Sequence, residues 1–407
     1  MTRPAAGDRL RVLHLIKGFD VGGAERIISL LVQVGDRERF DYAVAHALAG
    51  ADGLAGPVRA AGVAVHDLGA AGQWDLRWVA RLRRLLRDGG FDVLHVHLPY
   101  TAGLGRIAAW SLGPGRRPRV VHTQHNMWSR TEWPTRLLSG ATWWMDDADL
   151  AVAESVKADL PPLLARRTEV VLHGVDRREV SVEAATAVRG ELGVKVGEVL
   201  VVTVANLRRE KAYEVLLEAA RRLVDEGLPV RFAAVGHGPL EQEVRALHRR
   251  LGLGERFRLL GLRTDVAEIL AAADVFTLAS HHEGFPLSVM EALGAGVPVV
   301  ATRVGELPAV VRDGVDGILV PPGDRDALAA ALRTVVADEG RRRAMTVAAR
   351  DGGARFDIRA ASQRLEGLYA TIGRPPPDRR HGWIWKLRPG ERRRRHFRRS
   401  AWRYPRA

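Results

Sequence analysis

The chain has 407 residues, 46% of them apolar, which is enough for two or three domains with buried cores. It contains no cysteine, which excludes disulfides, thiolate metal sites and a cysteine nucleophile. The net charge is +14, but residues 374–407 contain 13 Lys or Arg against two acidic residues and hold +11 of it, so the high pI is no sign of a nucleic-acid-binding body.

Short apolar runs alternate with longer helical patterns along the chain, and the pattern restarts after Arg177. Continuous apolar strands between helices are typical of parallel sheets covered on both faces. Strands are predicted at 11–16, 41–47, 93–97, 119–123, 198–204, 230–235, 256–260, 274–278 and 297–302. Helices are predicted at 24–34, 76–87, 212–226, 240–251, 288–295 and 358–372, with a linker at 180–196. The predicted fold class is α/β: two Rossmann-like, doubly wound domains that face a cleft, where ligands of such sheets bind.

The predicted boundaries are residues 1–180 for the first domain, 181–357 for the second, 358–373 for a last helix and 374–407 for a basic tail rich in Trp and Arg. No secretory signal and no apolar run long enough to span a membrane is found. We therefore expect a cytoplasmic protein.

The most informative segment is HHEGFPLSVMEALGAG, residues 281–296. Pro286 suits the first turn of a helix, and the N–H groups near Leu287 and Ser288 then form an anion site suited to a diphosphate. Glu283 precedes that site and Glu291 lies about one turn inside the helix. The physical pattern alone is equally compatible with a capped surface helix that carries solvated acids.

The spacing of Glu283 and Glu291, with the EGFP opening, resembles the E-x7-E motif of retaining glycosyltransferases of family four. Five further segments resemble motifs of that family in the same order, and the resemblance covers roughly residues 10–370. They are GGAE at 22–25, ANLRREK at 205–211, VGHGP at 235–239, PVVATRVGE at 298–306 and VPPGD at 320–324.

The resemblance implies a GT-B fold, a nucleotide-sugar donor held mainly by the second domain, an acceptor held by the first, and a last helix that crosses back onto the first domain. It implies that Glu283 binds the transferred sugar and that Glu291 binds the ribose. The donor phosphates would be held by residues of two glycine-bearing loops and by one lysine. These residues are Gly22, Gly23, Lys211, Gly284, Phe285, Pro286, Leu287 and Ser288.

The sequence departs from the family at one donor-binding position, because Asn206 stands where an arginine is frequent. Arg208 or Arg209 would then supply the charge, and we favour Arg208. Ala212 replaces a glycine of the family at a predicted helix start.

Among the histidines, His125 follows a strand and matches the family's first-domain histidine, which contacts the donor sugar. His122 lies within the strand and is expected to be packed. His97 closes another strand and is either a satisfied strand-end residue or a contact to the acceptor. We expect no metal or other cofactor, since Lys211 can neutralise the diphosphate. The resemblance also implies transfer with retention, by front-side attack.

The tail interleaves Trp383, Trp385 and Trp402 with arginines, which suits an anionic membrane surface; nucleic acid and a solvated tail are the alternatives. Trp143 and Trp144 would add a membrane-facing patch or be buried. A glycan or lipid-linked acceptor would fit such a location, and either a uridine or a guanosine donor is compatible. A nucleotide-sugar epimerase of the same fold, or a non-catalytic membrane protein that binds sugar nucleotides, is the alternative function.

Overall fold

A computed structural model of the chain describes residues 9–20, 22–171, 174–284 and 286–373. The predicted tail and Phe285 therefore lie outside the described residues. None of the helices in the described part has the length and apolar character that crossing a bilayer requires.

The first sheet has seven parallel strands in the order β3-β2-β1-β4-β5-β6-β7. Its central strand is β4, where Val93 pairs with Val12 of β1. The strands are Leu10–Ile16 (β1), Phe40–Leu48 (β2), Ala64–Ala70 (β3), Val93–His97 (β4), Arg119–Gln124 (β5), Ala148–Ala151 (β6) and Thr168–Val170 (β7). The helices are Gly23–Val34 (α1), Ala55–Ala60 (α2), Arg77–Gly89 (α3), Pro99–Trp110 (α4), Trp133–Thr142 (α5), Glu154–Ala158 (α6) and Pro162–Ala165 (α7).

The second sheet has six parallel strands in the order β10-β9-β8-β11-β12-β13. The strands are Val199–Val204 (β8), Val230–Val235 (β9), Phe257–Gly261 (β10), Val275–Leu278 (β11), Val299–Thr302 (β12) and Gly317–Val320 (β13). The helices are Val182–Glu191 (α8), Tyr213–Asp225 (α9), Glu241–Arg250 (α10), Val266–Ala272 (α11), Leu287–Gly294 (α12), Leu307–Val310 (α13), Arg325–Ala337 (α14), Glu339–Gly353 (α15) and Ile358–Gly373 (α16).

Both faces of the second sheet are covered, which explains why its strands read as unbroken apolar runs. Successive residues of β8 point to opposite faces. Val201 packs in the core beneath α9 and α14, and Val202 packs in the core beneath α11 and α12.

Four strands, β3, β6, β7 and β13, were not among the predicted elements. In β3, an edge strand, the less buried His66 and Asp67 interrupt the apolar run, and the other three have only three or four residues. The predicted linker at 180–196 instead contains α8. Its Val188, with the following Leu192, packs in the core of the second sheet.

The chain passes between the sheets through two segments that are hydrogen-bonded to each other. Val175 N–H donates to the carbonyl of Phe356 at 2.7 Å, and Ile358 N–H donates to the carbonyl of Val175 at 3.1 Å. A Cβ at Gly174 would lie 2.3 Å from the backbone nitrogen of Ile358, so glycine is required for this close crossing. After the crossing, α16 packs against α1 and β1.

Candidate active site

The carboxylate of Glu283 lies in the loop after β11 and is 6% exposed. Its Oε1 accepts hydrogen bonds from Lys211 Nζ and from Ser280 Oγ, both at 2.6 Å. Lys211 ends a short helical turn that follows β8, and its side chain is about one-fifth exposed. The two residues predicted at 211 and 283 are therefore in direct contact, and both line the cleft.

The loop of Glu283 is supported by the segment PVVATRVGE, whose glycine lies against it. Gly305 has φ +52°, and a Cβ on it would lie 1.8 Å from the carbonyl oxygen of Glu283. The next residue, Glu306, is buried and accepts a hydrogen bond at 2.9 Å from the N–H of Ser155, at the start of α6. This segment thus holds Glu283 in place and ties the second sheet to the first.

The start of α12 faces the cleft opposite the glycine loop of α1. Pro286 was predicted to lie in the first turn of this helix. It is instead the N-cap, and the helix begins at the next residue, Leu287. Val289 and Met290 donate to the carbonyl of Pro286, which leaves the N–H groups of Leu287 and Ser288 ahead of the helix's own hydrogen bonds. A Cβ at Gly23 would lie 3.8 Å from Leu287 Cδ1, which shows how closely the two loops approach.

Glu291, the second glutamate of the motif, has a largely buried side chain that forms an ion pair with Arg26 of α1, 2.7 Å from it. Burial raises the pKa of Glu291, Arg26 opposes that shift, and Asp176 adds to it. Arg26 was not among the predicted site residues. Its position directly after GGAE could have indicated this role, because a cation at the start of α1 lies close to the glycines of that motif.

His125 is the predicted first-domain histidine that lines the cleft. It follows β5, and its Nε2 is 2.9 Å from Nδ1 of His97. His97 in turn lies 3.0 Å from His14, through Nε2 and Nδ1 respectively, and is fully buried. His97 therefore lies behind His125 and does not itself line the cleft. His122 is also fully buried, as expected, and burial lowers its pKa well below the usual value.

A cavity of about 500 Å³ lies between the two sheets and brings Lys211 and Glu283 together with His125, whereas Glu291 and Arg26 are not among its lining residues. On the first-sheet side it is lined by Lys17, Tyr100, His125, Arg130 and Thr135, among others; on the second-sheet side it is lined by Glu210, Lys211, His282, Glu283 and Gly284. Burial lowers the pKa of His282, and the nearby Arg130 lowers it further. Residues of both domains therefore line the cavity, so a molecule bound to one domain could contact a molecule bound to the other.

The two arginines considered for the phosphates, Arg208 and Arg209, are both exposed beside the cleft. Neither has a carboxylate partner among the described residues, and the exposed Asn206 precedes them. Their loop is packed backbone to backbone on VGHGP: a Cβ at Gly238 would lie 2.5 Å from the carbonyl oxygen of Leu207. That motif therefore shapes the loop.

Ala212 has a left-handed backbone with φ +46°, which accounts for the glycine found there in the family. Such a conformation costs an alanine about 1–2 kcal/mol. The chain tolerates the cost because Ala212 is fully buried at the start of α9, which packs in the core of the second sheet.

Two groups of potential metal ligands occur among the described residues, His14 with His95 and His97, and His122 with Asp146 and Asp149. Both are buried within the first sheet and neither lines the cleft cavity.

Comparison with known proteins defines the class. Residues 21–179 match the family described as Glycosyltransferase Family 4, and residues 198–338 match Glycosyl transferases group 1. A D-inositol 3-phosphate glycosyltransferase of Kribbella flavida is 31% identical over 323 residues, 72% of this chain and 74% of that protein. An N-acetyl-alpha-D-glucosaminyl L-malate synthase of Bacillus anthracis is 27% identical over 306 residues, 74% of this chain and 78% of that protein. The chain belongs to the group 1, or family four, glycosyltransferases, which confirms the predicted family.

Solved structures agree on the fold. HepE of Anabaena in complex with UDP superposes with a TM-score of 0.77 at 21% identity, over 89% of this chain and 100% of that one. WaaG, a glycosyltransferase involved in lipopolysaccharide biosynthesis, has a TM-score of 0.65 at 16% identity, over 88% of this chain and 99% of that one. The fold is GT-B, and the predicted pair of Rossmann-like domains is confirmed.

Proposed function

We propose that this protein is a retaining glycosyltransferase that moves a hexose-type sugar from a uridine or guanosine diphosphate-sugar to a glycan or lipid-linked acceptor. The synthesis of a polysaccharide or glycolipid is the context that we propose. The observation that carries the proposal is the single cavity in which the Lys211–Glu283 pair of the second sheet faces His125 of the first. The HepE structures, which contain UDP and UDP-glucose, support a nucleotide-sugar donor.

In the proposed donor complex, the diphosphate lies between Lys211 and the start of α12, with Gly22 and Gly23 opposite. A cation and unpaired backbone N–H groups both stabilise negative charge there. Glu283 accepts hydrogen bonds from the sugar hydroxyls, and Glu291 exchanges Arg26 for the ribose hydroxyls. In this proposal the donor hydroxyls replace Lys211 and Arg26 as partners of the two carboxylates.

The proposed transfer needs no carboxylate base from the first sheet. The bond between the anomeric carbon and the phosphate oxygen breaks, and the acceptor oxygen bonds to the same face of that carbon. The acceptor's proton passes to an oxygen of the departing diphosphate, so configuration is retained. Lys211 and the helix start stabilise the charge that develops on the leaving group, and we propose that they do so without a metal ion.

The first test is thermal stabilisation of the full chain by uridine and guanosine diphosphates and their sugars, in the presence of EDTA. A ligand that binds only the folded state raises the free energy of unfolding, by about 2.7 kcal/mol at a hundred times its Kd, and so raises the melting temperature. We expect one base to stabilise the protein and Lys211→Met to abolish the shift. If none of the nucleotides raised the melting temperature, the proposed donor site would be wrong.

Chemistry is tested by product analysis with the donor so identified. Glu283→Gln should lower turnover by at least about a hundredfold, since it removes a charged contact to the transferred sugar. The anomeric configuration of the product, read by NMR, distinguishes retention from inversion. An inverted product would contradict the front-side mechanism while leaving the donor site intact.

A second candidate acceptor is a small molecule that carries a phosphate or carboxylate. The observation in its favour is that Lys17 and Arg130 both line the first-sheet side of the cavity. Neither makes an ion pair with a described carboxylate, and Lys17 instead lies over the ring of Tyr100, 5.1 Å from its centroid. The two relatives are an N-acetyl-alpha-D-glucosaminyl L-malate synthase and a D-inositol 3-phosphate glycosyltransferase, and malate and inositol phosphate are both small anions, which supports this candidate.

The two acceptor classes are separated by Lys17→Met. With an anionic acceptor, its KM should rise at least about tenfold, because a charge-assisted hydrogen bond is lost. With a neutral glycan acceptor, KM should change little. Donor stabilisation measured on the same variant controls for damage to the cleft.

A further inference from the structure

We infer that the outer face of α5 and of the short turn that follows it is a membrane-contacting surface, which brings the acceptor end of the cleft to the headgroup region of an anionic bilayer. This inference rests on the lipid-linked acceptor of the proposed function. It concerns the folded body, not the tail at 374–407.

The surface is a stripe of large apolar side chains on one side of a continuous helical segment. Trp133, Leu137 and Trp144 are 71%, 67% and 58% exposed. At about 100° per residue their positions fall within about 40° of arc, because α5 runs directly into the turn Trp143–Met145. Ile107 of the neighbouring α4 is exposed as well. Exposed apolar groups that share one face mark an interaction surface, whereas scattered ones do not.

The opposite face of the same helix is held rigidly in the protein. Arg106 of α4 is fully buried, forms an ion pair with Asp146 at 2.6 Å, and donates to the carbonyl of Ser139 at 2.9 Å. Trp143, next to the exposed Trp144, is 1% exposed and packs in the interior. The two adjacent tryptophans of the sequence therefore have different environments, and the stripe is displayed on a fixed support.

The stripe begins at the mouth of the proposed acceptor site. Glu132 and Thr135, at the N-terminal end of α5, line the cleft cavity. Trp133 lies between them in sequence and points outward. A surface that contacted this stripe would thus lie at the edge of the cavity, where a lipid-linked acceptor has to enter.

Charge and residue type select a membrane as the occupant. Arg130 and Arg136 lie on either side of Trp133 in the sequence, against one acid, the exposed Glu132, and neither arginine forms an ion pair with a carboxylate among the described residues. Tryptophan is enriched where apolar and headgroup regions meet, and each nearby cation contributes about 1 kcal/mol of attraction to anionic lipid. A second copy of this chain would instead bring the arginines of two such surfaces together.

The test uses single cysteines, because the chain has none of its own and each introduced thiol is labelled uniquely. Leu137→Cys and Leu262→Cys form a matched pair: both leucines are exposed, at 67% and 64%, and Leu262 lies in the second sheet's half of the protein. Each full-length variant carries an environment-sensitive fluorophore and is mixed with vesicles of phosphatidylcholine containing 30% phosphatidylglycerol.

We expect a blue shift and protection from iodide quenching at position 137 only, weaker with pure phosphatidylcholine. An equal response at both positions, or none at position 137, would overturn the inference. So would a shift at position 137 that grows with protein concentration without vesicles, because a second copy would then cover the stripe.

A second measurement uses charge insertion. Leu137→Glu should weaken vesicle partitioning about tenfold relative to Leu262→Glu. The substitution at position 137 removes an apolar side chain from the membrane contact and places a carboxylate there instead. Equal partitioning of the two variants would count against the stripe. Nucleotide stabilisation is recorded on the same four proteins, so failure of the donor site is seen separately from failure of membrane contact.

Discussion

Gly305→Ala should uncouple the loop of Glu283 from its support. Two costs arise from the structure. The left-handed backbone at φ +52° costs an alanine about 1–2 kcal/mol. The new Cβ would lie 1.8 Å from the carbonyl oxygen of Glu283, a clash that only a backbone shift relieves, at a further cost of about 1–3 kcal/mol.

The chain offers a matched control in Gly314, which has φ +79° and no heavy atom within 4 Å of a built Cβ. Gly314→Ala therefore incurs the backbone cost without the clash. Urea unfolding of both variants gives the clash as the difference between their free energies of unfolding, and we expect Gly305→Ala to be less stable by about 1–3 kcal/mol.

The shift of the Glu283 loop should also reach the donor site. Gly305→Ala should weaken nucleotide-sugar affinity at least about tenfold, whereas Gly314→Ala should leave it unchanged. If the two variants lost equal stability and bound the donor equally well, the argument that Gly305 supports Glu283 would fail.

Substitutions at three other positions test neighbouring contacts. Glu291→Gln should raise the melting temperature at pH 7 while weakening donor binding. Burial raises the pKa of Glu291. The stabilising contribution of this carboxyl group is therefore present below its unfolded pKa of 4.5 and is lost as the pH rises through its folded pKa. The gain should vanish below pH 4.5 in a pH series of melting curves, and a constant gain would contradict this origin. His97→Gln should lower kcat about tenfold with little change in KM for the donor, because His97 forms the hydrogen bond that orients His125. An unchanged kcat would show that this hydrogen bond does not contribute to catalysis. Glu306→Ala should cost about 1.5–3 kcal/mol in urea unfolding and Glu306→Gln less, since the amide still accepts from the N–H at the start of α6, and equal losses would show that acceptance is not what matters.

Much of the architecture follows from local pattern. The strands at the centre of each sheet were predicted to within a residue or two, because burial on both faces requires unbroken apolar runs such as Val199–Val204. The edge strand β3 escaped prediction because its side chains are partly exposed. Helix α8 was taken for a linker because its buried face is small, with Val188 as its buried residue.

In the candidate site, too, some residues were predicted from the sequence and others were not. Glu283, Glu291 and Lys211 were predicted because they belong to motifs whose residues are close in sequence. Arg26 and Glu306 were not predicted as contacts, since their partners, Glu291 and Ser155, lie 265 and 151 positions away and on the other sheet. For His97 the sequence left two alternatives, a satisfied strand-end residue and a contact to the acceptor. The pairing of β4 with β5, which places His97 beside the strand that leads to His125, is a tertiary feature that the sequence pattern does not contain.

The sequence by itself determined the fold class, the family and three of the residues that line the cleft cavity, His125, Lys211 and Glu283, because periodicity and short motifs are local properties of the chain. Tertiary structure alone decided which charges meet: Lys211 with Glu283, and Arg26 with Glu291. It also decided that of two adjacent tryptophans Trp143 is buried and Trp144 exposed. Neighbouring residues of a helix point in different directions, so their environments depend on what packs against each face, and periodicity does not contain that information.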